Sequence, residues 1–139
     1  MNRKYELLSS ESISHSGLTL YRIRAVRDFD NVKIGDLGGY VESDNNLSHD
    51  GMAWIADQAQ VYRQARVEGN ARVSGHAQVS GRITLSDNVY VGGWTEVSAV
   101  YGRSGRGAQI IGDLQLYAAR PDPGPAAARP GQLRPPPSP

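Results

Sequence analysis

A parallel β-helix is the fold this sequence predicts, and three observations predict it. A six-residue beat holds register from Ala53 to Val97. Each unit alternates its side chains over only three or four residues before a turn, too short for a stable hairpin strand. The composition also supplies a thin core, with 39% hydrophobic residues but only one Phe and two Trp. An antiparallel meander would need longer alternating runs with hairpin turns between them.

The beat has two inward positions. Ala53, Ala59, Ala65, Ala71, Ala77, Ile83, Val89 and Thr95 recur six apart, and Ile55, Val61, Val67, Val73, Val79, Leu85, Val91 and Val97 follow two residues behind. In Ala65-Arg66-Val67-Glu68-Gly69-Asn70 the alternation puts Ala65 and Val67 on one side and Arg66 on the other. Gly69 and Asn70 supply the turn. Three such units close one triangular coil of 18 residues, and the next coil stacks about 4.8 Å above it. The stretch 41–116 then makes about four coils.

Residues 1–40 lack the beat and read as a small β-rich cap. Leu18-Thr19-Leu20-Tyr21-Arg22-Ile23-Arg24-Ala25-Val26 is a strand by composition. Residues 9–16 read as a loop or turn, and 31–36 and 37–41 as two short strands with a tight turn between them. Gly38-Gly39 lacks the context of a phosphate loop and suits a tight lead-in to the first coil. Val41 and Leu47 lie in phase with Ala53, so the helix is expected from residue 41. Past Tyr101-Gly102-Arg103 the beat returns one residue late at Ala108/Ile110 and Leu114/Leu116, which one inserted residue near 98–107 explains. The last region, 118–139, is Pro, Ala, Arg and Gly, and all eight prolines lie at or beyond Pro121. It is expected to be disordered or polyproline II, either without a role or as a short proline-rich ligand.

Charge and cysteine usage exclude several classes of function. The net charge is +1, with 15 Lys/Arg against 14 Asp/Glu, which is not the basic surface of a dedicated nucleic-acid binder. There is no cysteine and hence no disulfide or thiolate site. The N-terminus shows no signal peptide or membrane span, so the cytoplasm is the expected location.

Three segments carry a resemblance. Leu20-Tyr21-Arg22-Ile23-Arg24-Ala25-Val26-Arg27-Asp28-Phe29, Val32-Lys33-Ile34-Gly35-Asp36-Leu37-Gly38-Gly39-Tyr40-Val41-Glu42 and Asn46-Leu47-Ser48-His49 resemble the N-terminal block of phage and prophage hexapeptide-repeat proteins. The Gly-Asn-Ala-Arg-Val-Ser-Gly run at 69–75 is similar to their repeats, and the likeness covers residues 4–116. It implies that the all-β helix is left-handed, an exception to the right-handed rule for parallel crossovers. Many such proteins are labelled acetyl- or acyltransferases. The family's active enzymes are usually trimers that bind acyl-coenzyme A between prisms and use a His base near an extruded loop. Here Glu68, Ser74 and Ser80 stand where those enzymes carry Gly, and residues 53–97 contain no extruded loop.

The candidate residues follow from this frame. His76 sits in a turn with Trp94 one coil later, and reads as a surface His or, less favoured, a general base. His49, in the Asn46-Leu47-Ser48-His49 signature, reads as a structural hydrogen-bonding group or a base. The outward positions Trp54, Arg72 and Tyr90 stack at intervals of 18 residues. Such a ladder stabilises its own strands, or meets a neighbouring subunit, a flat ligand or a nucleobase. The three histidines show no metal-ligand spacing. The sequence therefore favours a non-enzymatic structural or protein-interaction module, forming a homo-oligomer (dimer or trimer) or meeting a host protein, with no cofactor. The alternatives are an acyltransferase using acyl-coenzyme A, and nucleic-acid binding or mimicry.

Overall fold

The computed structural model describes residues 3–99, 108–110, 112 and 114–119. Its strands in chain order are β1 (Tyr5–His15), β2 (Leu18–Ala25), β3 (Leu37–Val41), β4 (Trp54–Ile55), β5 (Gln60–Val61), β6 (Arg66–Val67), β7 (Arg72–Val73), β8 (Gln78–Gly81), β9 (Ile83–Leu85), β10 (Tyr90–Gly93), β11 (Glu96–Ala99), β12 (Ala108–Ile110) and β13 (Gln115–Ala118). From β3 onward they form the three faces of a left-handed parallel β-helix. The first face runs β3-β5-β8-β11, the second β4-β7-β10-β13, and the third β6-β9-β12, with Leu47 bridging to Val67 beneath β6. Each face therefore has four rungs, which makes about four coils, with extra residues entering the first and the last of them.

Both inward series fill the prism. Ile55, Val61, Val67, Val73, Val79, Leu85 and Val91 have no exposed surface, and neither do Ala53, Ala59, Ala65, Ala71 and Ala77. The coils are tied by backbone bonds such as Ala56 N–H to Val73 O (2.7 Å) and Arg72 N–H to Val89 O (2.9 Å). At the corners the backbone turns through positive φ at equivalent places in successive coils. Gly51, Gly69 and Asp87 share one such corner; Asp57, Gly75 and Gly93 share another. A side chain at Gly75 would meet the Gly93 backbone nitrogen at 2.9 Å, so glycine there answers both conformation and space.

The registers correct two expectations of phase. Val41 pairs with Val61 and Leu47 with Val67, so both occupy the aliphatic position rather than that of Ala53. Two additional residues enter the corner between Leu47 and Ile55. At the other end Ile110 pairs with Leu85 and Leu116 with Val91, a step of 25 residues instead of 18. The insertion is thus seven residues, one whole unit more than the single residue the sequence suggested, and residues 100–107 lie outside the described ones.

The cap is a hairpin laid along the first face. β1 and β2 pair antiparallel, and β2 pairs antiparallel with β3, making a six-stranded sheet. Residues 9–15 are strand rather than loop: a register shift between Leu8 and Ser12 absorbs the polar run and lets β1 continue to His15. Residues 31–36 form turns rather than a strand. Asp28 Oδ1 accepts from Ile34 N–H and Asp36 Oδ2 from Lys33 N–H. β3 crosses the boundary expected at residue 40 and serves both cap and first coil. The tail assigned from residue 118 lies outside the described residues from 120 on.

Candidate interaction surface

The first coil of a β-helix exposes a row of backbone carbonyls with no strand beneath them, and these groups need partners. Here side chains of the cap supply them. The Tyr5 hydroxyl donates to Leu47 O (2.5 Å) and Asp44 O (3.0 Å). The Lys4 ammonium, on a fully buried side chain, donates to Ala53 O (2.6 Å) and Gly51 O (3.4 Å) and lies 4.9 Å from the Phe29 ring centroid. Arg27 donates to His49 O (3.0 Å). Three of these carbonyls, on His49, Gly51 and Ala53, belong to the corner lengthened by two residues, so that insertion is what receives the cap. Burial, followed by the charges of Arg27 and Arg72, lowers the Lys4 pKa to about 8. Burial, followed by the Asp44 charge, raises that of Tyr5.

His49 belongs to this seal. Its Nδ1 accepts the Lys4 backbone N–H at 3.0 Å, its Nε2 faces Asp44 Oδ1 at 3.4 Å, and its ring stacks on Tyr5 with centroids 4.1 Å apart. With Nδ1 accepting, the neutral ring carries its proton on Nε2 and donates it to Asp44. Burial is the first cause holding its pKa below the ordinary value. Both ring nitrogens are therefore engaged, Nδ1 in holding the start of β1 to the first coil and Nε2 within that coil.

The stack Trp54–Arg72–Tyr90 exists in register on the second face, yet its members differ in access. Trp54 is 3% exposed, covered by Phe29 edge-on at 5.3 Å between centroids. Arg72 is ion-paired with Asp30 of the cap. Tyr90 is 38% exposed. Its ring lies over Gly92, and its hydroxyl meets Ser74 Oγ at 2.6 Å. The three outward positions thus stack as expected, but the lowest is covered because the cap folds over the first rung.

The upper part of this face carries further aromatic groups. Tyr117 in β13 pairs in register with Gly92, lies over Gly93 and is 73% exposed. At the adjoining corner Trp94 stacks on His76 with centroids 4.0 Å apart and planes 8° from parallel. Tyr90 and Tyr117 thus lie over Gly92 and Gly93, and the Trp94–His76 stack stands at the corner that follows. The sequence reading brought forward Tyr90, Trp94 and His76 but missed Tyr117, whose 25-residue offset from Gly92 hides it from an 18-residue count. It also missed Lys4, Tyr5 and Asp44, whose roles depend on contacts distant in sequence.

Elsewhere two shallow polar grooves are present. One, of about 390 Å³, is lined by Ser48, Asp50, Gly51, Arg66, Glu68 and Gly69; the other, of about 340 Å³, is lined by Asp30, Met52, Asn70, Arg72 and Asn88. Among the described residues no group of three His, Cys, Asp or Glu side chains converges as a metal would require, and no helix is long and apolar enough to cross a membrane. The fold defines a β-solenoid of hexapeptide type. No protein-family model matches the chain, and no curated protein matches it.

Proposed function

We propose that this chain is a non-enzymatic structural or protein-interaction module acting through the outer surface of its β-helix. The carrying observation is the aromatic surface of Tyr90, Tyr117, Trp94 and His76, on a scaffold held rigid by an apolar core and coil-to-coil hydrogen bonds. Aromatic rings on a flat, pre-ordered face give large contact area at small entropic cost, which is what protein partners use. A second copy of the chain, as a dimer or trimer, is the first partner, and a host protein is another if the chain is phage-borne.

The histidines support this reading over acyl transfer. A general base needs an available ring nitrogen directed at a nucleophile. His49 engages Nδ1 with the cap and Nε2 with Asp44 of the first coil, while His76 stands on an exposed corner against Trp94. Calorimetric titration with acetyl-coenzyme A, on the parent chain and on His76→Asn and His49→Asn, is the test. The expected result is no saturable binding. Saturable binding abolished by one of those changes would reverse the assignment in favour of an acyltransferase. A DNA affinity falling steeply with salt would instead favour the nucleic-acid alternative.

A further inference from the structure

We propose that the aromatic surface is a docking site for a polyproline II segment, and that its occupant is this chain's own proline-rich stretch, residues 121–139. The inference rests on the reading of that surface as a contact site, and adds an internal ligand that competes with outside partners.

The surface has the chemistry that such segments select. Polyproline helices dock on exposed aromatic rings set along a shallow floor, because proline rings pack flat on aromatic faces and the segment is already ordered. Here two glycines leave room for the tyrosine rings to lie flat on the strands. A Cβ on Gly92 would meet the Tyr90 ring at 2.9 Å, and one on Gly93 would meet the Tyr117 ring at 2.8 Å. Trp94, next in sequence, carries the stack with His76.

Position argues for the chain's own segment. The described residues stop at 119, immediately after β13, and Ala118 O accepts the Trp94 backbone N–H at 2.7 Å. The stretch that follows therefore leaves from the surface itself. It holds all eight prolines of the chain, including Pro135-Pro136-Pro137. At about 3.1 Å per residue its 19 residues reach up to about 60 Å, well beyond a four-rung face about 14 Å high. Tethering at this distance gives an effective concentration in the millimolar range, so weak intrinsic affinity suffices. Charge agrees as well: Arg129 and Arg134 flank the prolines, and Glu96, two residues from Trp94, is exposed.

The chain has no cysteine, so Ser138→Cys accepts one spin label in an otherwise intact protein. The indole N–H signals of Trp94 and buried Trp54 are then read by NMR. The expected result is strong broadening of Trp94, little of Trp54, and loss of the effect when Pro135, Pro136 and Pro137 are all changed to Ser or when exposed Tyr117 is changed to Ala. Absence of Trp94 broadening overturns the proposal. Broadening that appears only between a labelled copy and a separate isotope-enriched copy also overturns it, because the occupant would then be the second chain's segment. The triple Pro→Ser change should also strengthen self-association by the reciprocal of the uncovered fraction. Self-association without broadening removes the internal ligand and leaves the interaction reading standing. Broadening in a chain that stays monomeric does the opposite.

Discussion

At the residue scale, closure of the base depends on a few polar atoms. The Tyr5 hydroxyl donates its one proton to the buried Leu47 carbonyl and shares it with that of Asp44, so Tyr5→Phe should cost about 1–3 kcal/mol of stability, read from urea denaturation. His49 adds a pH dependence whose sign follows from its geometry. Its folded pKa lies below the ordinary 6.5, so just below 6.5 the unfolded chain binds more protons. Its contribution is complete above 6.5 and is lost as pH falls through the lowered value, where a proton on Nδ1 would face the Lys4 N–H. The urea midpoint should therefore drop as pH falls below 6.5. His49→Asn, which keeps an acceptor without titrating, should flatten that drop. Little of this was legible beforehand: His49 stood out as a signature residue, but its partners Lys4 and Asp44 are joined to it only by folding.

At the element scale, short strands are legible when their spacing is strict and become obscure where it breaks. The alternation at Ala65 and Val67 fixes which side chains face inward, and the inner layer from Ala53 to Val91 follows it residue by residue. Val41 and Leu47 mislead because two inserted residues exchange one inward position for the other, and both positions accept an aliphatic side chain. The strand at 9–15 was hidden by its serines, which carry no apolar alternation. Trp54 read correctly as outward from the prism, but not as covered, since the turn carrying Phe29 has no periodic signal. Trp54→Ala should cost about 3–5 kcal/mol by opening a cavity beneath Phe29, and thermal unfolding will show it. Gly38→Ala should cost about 1–3 kcal/mol, since its Cβ would lie 2.5 Å from the Ile55 carbonyl oxygen.

At the scale of the whole molecule, the described prism has one closed end and one open aromatic face, an asymmetry that gives the fold its functional direction. The cap spends its charged and hydroxyl groups on sealing the base, leaving Tyr90, Tyr117, Trp94 and His76 for contacts. A rigid side surface of this kind suits closed association of a few copies. Sedimentation equilibrium of the full chain, alone and as Tyr90→Ala, is the most direct test, with Trp54 fluorescence confirming that the fold is kept. The expected result is a dimer or trimer in the parent chain and a several-fold weaker association in Tyr90→Ala. A parent chain that stays monomeric at all accessible concentrations, or a variant that associates as the parent does, would contradict a contact role for this face.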